Sequence, residues 1–155
     1  MEIITLKSRP DIRENDKAFP AYQQFVVLLE EIRKKEVPDV VAGKINEYVG
    51  EINEISLSGR EMKKRLNTVQ SNIVRLLVKE LKIAPKNYYR MLWMGIGMAS
   101  FGVPIGVALG ASLDNMAFIG IGIPIGFSIG IALGAGMDKK AKEEGRQLDV
   151  EVKYL

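Results

Sequence analysis

The chain of 155 residues contains no cysteine and no histidine. Without cysteine there is no disulfide, no thiolate nucleophile and no thiolate metal site. Without histidine the commonest general base and metal ligand is missing. Net charge is only +3, too weak a balance to point to nucleic acid. The start of the chain, MEIITLKSRPDIREND, lacks an apolar core of the kind a cleavable signal peptide carries, so any insertion signal is expected further on. The largest absence is of charge. Between residues 91 and 137 the only charged side chain is Asp114, and the same stretch holds eleven of the fifteen glycines.

That stretch, MLWMGIGMASFGVPIGVALGASLDNMAFIGIGIPIGFSIGIALGAGM, falls into two apolar arms, 91–113 and 116–137, divided by Asp114 and Asn115. As helices at about 1.5 Å per residue, each arm is about 33 Å long, enough to cross a hydrocarbon core of about 30 Å. The arms lack the polar stripe that a soluble core helix presents to water. They predict a transmembrane helical hairpin. Pro104 and Pro124 are compatible with it, because membrane helices tolerate proline where neighbours satisfy the freed carbonyl.

Within the arms glycine recurs every fourth residue. Gly102, Gly106 and Gly110 mark one face of the first arm; Gly122, Gly126, Gly130 and Gly134 mark one face of the second. Apolar side chains gain little by leaving lipid, so membrane helices associate through close packing, which small residues permit. These seven glycines are the predicted helix-packing residues. The arms also repeat: GVPIG at 102–106 matches GIPIG at 122–126, and VALGASLD at 107–114 matches IALGAGMD at 131–138. Asp138 is thereby the twin of Asp114, and both read as helix-end residues.

The flanks predict orientation. Lys82, Lys86 and Arg90 precede the first arm, and Lys139, Lys140, Lys142 and Arg146 follow the second, while the turn has only Asp114. Basic residues concentrate on the cytoplasmic side, which puts both termini there in a multi-pass protein of the inner cell membrane. Tyr88, Tyr89 and Trp93, with Arg90, Lys139 and Lys140, are the predicted membrane-interface residues, with aromatics at the headgroup level.

The rest of the chain reads as amphipathic helices. Over 20–35, Tyr22, Phe25, Val26, Leu29 and Ile32 share a face, and Val37-Pro38 ends the run. Asp39 is placed to cap a second helix over 40–57, with Val41, Ile45, Tyr48, Val49, Ile52 and Ile55 at steps of three and four. A third helix over 60–83 repeats Met62, Leu66, Val69, Ile73, Leu76 and Ile83, widened by Leu77, Val78 and Leu81, and ends by Pro85. Three such helices predict a small bundle or coiled coil, its stripes satisfied within one chain or between chains. The narrow stripe of the third helix leans towards self-association. Residues 2–6 are rich in β-branched side chains, and 149–154 alternate apolar and polar, so the two termini are candidate strands that could pair.

No chemistry announces itself. The glycines follow no strand and precede no lysine, so they form no phosphate loop. Glu51, Glu54 and Glu61 lie among basic residues on helices, as a solvated face does. No catalytic, cofactor-binding or metal-ligating residue is predicted.

The runs GVPIGVALGASLDN and GIGIPIGFSIGIALGAGMD resemble the glycine-zipper hairpins of small, uncharacterised bacterial membrane proteins; the resemblance covers 95–138. It implies a tightly packed two-helix membrane element. Similar segments occur in channels and membrane-active toxins, which keeps a pore in view, with Ser100, Ser112 and Ser128 as its polar points.

The expected fold is therefore an all-α membrane protein with a two-helix transmembrane hairpin (88–138), a cytoplasmic three-helix amphipathic or coiled-coil module (1–87), and a charged tail (139–155), with short terminal β-strands as a further element. The expected function is non-enzymatic: the hairpin sits in the lipid bilayer and anchors a module that forms a homo-oligomer or binds a cytoplasmic protein. The alternative is an oligomeric pore or membrane-disrupting effector.

Overall fold

A computed structural model describes residues 1–10 and 12–152. The chain is mostly helical and divides into two compact units. The first holds Met1–Pro85 and the chain from Leu148; the second is Lys86–Gln147. The tail is thus split rather than separate: its charged part belongs with the hairpin and its apolar-alternating part with the helical module.

In the first unit, α1 (Phe19–Arg33), α2 (Asp39–Glu54) and α3 (Gly59–Leu81) follow the expected segments within a few residues. Pro20 sits in the first turn of α1, where its missing N–H costs no helical bond. Asp39 does not cap α2. It is the first residue of that helix after Pro38, and its carboxylate pairs with the Met1 ammonium instead.

Helix α3 packs against both α1 and α2. This explains a stripe wider than a seven-residue seam. Met62, Leu66, Val69, Gln70, Ile73, Val74 and Leu77 are all buried, whereas a two-stranded coiled coil would cover two positions per heptad. Phe25, Leu28, Leu29 and Ile32 enter from α1; Val41, Ala42, Ile45, Val49 and Ile52 enter from α2. Leu28 is in the core where the sequence pointed to Val26, which is half-buried. Full burial of each large side chain contributes about 1.5–3 kcal/mol. The stripe of α3 is satisfied inside one chain.

Among the described residues the termini form no pairing with each other. Residues 2–6 form no strand; the only sheet among the described residues joins β1 (Ala84–Pro85) to β2 (Gln147–Leu148). From Leu148 onward, Leu148, Val150 and Val152 are buried and Asp149 and Glu151 exposed, an alternation of burial in which 149–152 form no strand. Lys153 and Tyr154, which complete the expected strand, lie outside the described residues. The backbone here bonds to side chains of α1. The Asp149 N–H donates to Glu31 Oε2 at 2.9 Å, and Gln24 Nε2 donates to the Glu151 carbonyl at 2.6 Å.

The second unit is a hairpin. Its first arm runs Tyr88–Ser112, comprising α4 (Tyr88–Gly97), a π-helical turn (Met98–Gly102) and α5 (Val103–Ser112). Its second arm runs Met116–Glu143, a 3-10 turn (Met116–Phe118) leading into α6 (Ile119–Glu143). Both arms are long and apolar enough to cross a membrane. Helix α6 continues through Asp138 and past the apolar arm into Lys139–Glu143. It ends where Gly145 takes a φ of 68°, with the Gly145 and Arg146 amides returning to the Lys142 and Ala141 carbonyls, a Schellman closure.

Candidate functional site: the glycine seam

The two arms touch backbone to backbone. A Cβ added to Gly122 would lie 2.2 Å from the Gly102 carbonyl oxygen and 2.4 Å from the Gly106 nitrogen. One on Gly126 would lie 2.3 Å from Gly102 N; one on Gly106, 2.6 Å from the Ile119 oxygen. No side chain fits at such distances, so glycine is required by space rather than by backbone angle. A Cβ on Gly130 would lie 2.1 Å from the Trp93 oxygen, and one on Gly134 2.5 Å from the Arg90 Cα. A Cβ on Gly102 would be tight, at 3.0 Å from the Gly122 oxygen, and one on Gly110 looser, at 3.3 Å from Met116 Sδ. All seven predicted packing glycines therefore lie in one seam, and all are buried.

An eighth, Gly97, belongs to the seam and was not anticipated. Its Cβ would meet the Gly126 oxygen at 2.4 Å. It lies five residues before Gly102, which in a regular helix turns it off the face. The π-helical turn at Met98–Gly102 absorbs the extra residue and restores it. Pro104 follows directly and cannot donate the N–H that would close a regular turn onto Ser100, so the wide turn falls where the regular ladder is already broken. A Cβ at Gly95, Gly120 or Gly136 would meet nothing within 4 Å, so these three lie outside the seam.

Asp138 continues the series 122, 126, 130, 134 by one more step of four. It is buried, and its carboxylate bridges to the other arm: Oδ1 accepts from Tyr89 N at 3.1 Å and Oδ2 from Arg90 N at 3.0 Å. These are first-turn amides of α4, which have no helical partner, and Asn87 before them has left-handed backbone and supplies no cap. The reading of Asp138 as a helix-end residue is corrected: it lies inside α6 and caps the opposite helix. The periodicity was a signal for this role, because a carboxylate in line with the glycines must face the same neighbour.

The other end is closed locally. Asp114 adopts a φ of 48°, and the Asn115 N–H returns to the Gly110 carbonyl at 2.9 Å, terminating α5. Asn115 Oδ1 then accepts from Ala117 N at 3.0 Å, capping the second arm. Ser128 Oγ donates to the Pro124 carbonyl at 2.9 Å, a bond within its own helix.

Around this seam the hairpin is apolar on its outside. In α4 through α6 the buried residues are the eight seam glycines, Asp138 and Ala141. Met91, Leu92, Phe101, Val103, Val107, Ile121, Ile125, Phe127 and Leu133 are exposed. Of the predicted interface residues, Tyr88, Tyr89 and Trp93 are half-buried and Arg90, Lys139 and Lys140 exposed. The Tyr88 and Tyr89 rings meet edge to face at 5.3 Å. Lys139 and Lys140 reach Glu143 and Glu144 at 3.9 Å, loose surface pairs one turn on.

The arrangement holds two helices at backbone contact. Among the described residues no group of acidic side chains is placed to hold a metal ion. No family model matches the chain, and neither a curated protein nor a solved structure matches it.

Proposed function

We propose that the chain is a non-enzymatic integral membrane protein whose hairpin anchors a helical self-association or partner-binding module at the cytoplasmic face of the inner membrane. The observation that carries this reading is the inverted burial of the second unit. Glycine fills the contact between the arms and the large apolar side chains point outward, an arrangement that water penalises and lipid tails accept. The arms, at 25 and 28 residues, are about 37 and 42 Å long if straight, sufficient for the hydrocarbon core with margin at the headgroups. Tyr88, Tyr89, Arg90, Trp93, Lys139 and Lys140 fall together at the open end, and the acidic Asp114 at the closed end, which supports both termini facing the cytoplasm. The same glycine face underlies the resemblance to glycine-zipper hairpins.

The pore reading finds less support. The outward faces that neighbouring hairpins would present to a path are almost wholly apolar, and Ser128 donates its hydroxyl to its own backbone.

The test is topology. Single cysteines at Asn115 and at Lys63, introduced into the naturally cysteine-free chain, are expected to react with an impermeant maleimide from opposite sides of intact inner-membrane vesicles. Alkaline carbonate should leave the protein in the membrane pellet. Release by carbonate, or labelling of both sites from one side, overturns the reading.

A further inference from the structure

The segment before α1 is bonded as a strand would be, though it belongs to no sheet. Asn46 receives the Ile4 N–H on Oδ1 at 2.9 Å and donates Nδ2 to the Glu2 carbonyl at 2.9 Å. Asn53 does the same one step along, taking the Lys7 N–H at 2.8 Å and giving to the Thr5 carbonyl at 3.1 Å. Each carboxamide thus imitates the N–H and C=O pair of a neighbouring strand. The spacing fits: seven helical residues rise about 10.5 Å and three extended residues about 10 Å. On the other side, Arg33 of α1 donates to the Ile3 and Ile4 carbonyls at 3.1 and 2.9 Å, and the Tyr22 hydroxyl to the Lys7 carbonyl at 2.9 Å. Residues 2–7 therefore form a strap parallel to α2 and antiparallel to α1.

Nearly all of this recognition is of backbone. Within the strap only Ile3 is buried and Leu6 half-buried; Ile4, Thr5 and Lys7 are exposed. A cleft of about 180 Å³ remains beside Ile3, Arg33 and Val37, so the strap's leading end is incompletely packed. A segment held at the surface by hydrogen bonds, the Met1–Asp39 ion pair and one buried side chain opens at lower cost than the core behind it.

We infer that this groove is a receptor for extended polypeptide, and that its exchange ligand is the strap of a second copy of this chain. The second copy is the one ligand whose fit is already demonstrated, residue for residue, by the resident strap. Exchange between copies remakes every bond, the low-cost route to a dimer that identical elements offer. With Ile12 and Ala18 left buried, the hinge is the short link after Lys7, so exchange needs the two modules to meet closely. This supplies a physical contact for the self-association part of the proposed function, and it does not depend on membrane insertion.

The test is complementation with full-length chains in detergent micelles. One variant carries a Gly-Ser run in place of residues 2–7 and keeps the groove; the other, Asn46→Ala with Asn53→Ala, keeps the strap and loses the clips. Mixed and separately tagged, the two should co-purify at least tenfold above either variant mixed with itself. Equal recovery in all three mixtures, with wild-type helix content, overturns the inference while leaving the carbonate and labelling results untouched. If either variant loses helix content, a labelled peptide of residues 1–10 is offered to the wild-type chain. Saturable binding that Ile3→Asp in the peptide weakens at least tenfold supports the inference; no saturable binding overturns it.

Discussion

Asp138, deep in the second arm, accepts the backbone N–H of Tyr89 at the start of the first, at 3.1 Å. With the Arg90 amide on its other oxygen, one carboxylate closes the open end of the hairpin. Helix N-termini favour negative charge and a side-chain acceptor, together about 1–2 kcal/mol in a partly buried setting. Asp138→Ala is expected to lose about that much and to speed amide exchange at Tyr89 and Arg90. Asp138→Asn keeps one acceptor oxygen and should fall between. Unchanged exchange at both amides in Asp138→Ala would show that the cap contributes nothing.

The seam makes a positional prediction among glycines that composition does not distinguish. Gly106→Leu and Gly126→Leu should force the arms apart and lower hairpin stability by on the order of 3 kcal/mol or more. Gly97→Ala should behave like them, because its Cβ would meet the Gly126 oxygen at 2.4 Å. Gly95→Ala and Gly136→Ala, in open space, should be neutral within about 0.5 kcal/mol. Thermal unfolding in micelles, followed by fluorescence transfer between the two arms, separates the two groups.

Glu31 links acid stability to the C-terminal segment. The bond from the Lys34 ammonium, then that from the Asp149 N–H, hold its carboxyl below the ordinary 4.5, against an upward pull from burial. A depressed folded-state value means the stabilisation is complete above the unfolded value and is lost as pH falls through the folded one. Unfolding by urea should therefore show a loss beginning below about pH 4.5, with faster exchange at Asp149. Glu31→Gln should cost on the order of 1 kcal/mol at pH 7 and flatten this dependence. An acid limb of unchanged size in Glu31→Gln would assign the effect to other carboxyls.

Gln70 is a buried exception in the core of the first unit. It is 1% exposed; its Nε2 donates to the Ala21 carbonyl at 3.1 Å, and its Oε1 has no hydrogen-bond partner among the described residues. An unpaired buried acceptor carries a desolvation penalty that an apolar side chain of similar volume avoids. Gln70→Leu should raise the urea midpoint, by about 1 kcal/mol of stability at unchanged slope. A lower midpoint would mean that the bond to Ala21 outweighs the orphaned oxygen.

Much of the fold follows from the order of residue types alone. Apolar steps of three and four place the helices α1 to α3, because one face of each must leave water. The charge-free run and its glycines at steps of four mark two long arms and the face on which they meet, because only glycine admits backbone contact. Asp114 and Asn115 mark the turn, because those residues tolerate left-handed backbone and cap helices. Tertiary structure decided the rest. Gly97 joins the seam only through a π-helical turn, which shifts register in a way no fixed period describes. Asp138 looks like a helix end until the opposite arm brings unpaired amides against it. The terminal segments look like strands for each other, but side chains on neighbouring helices offer them the same bonds: Asn46 and Asn53 hold one, Gln24 and Glu31 the other. Backbone groups must be satisfied, yet the sequence does not say by whom, and that choice is made only when the elements pack.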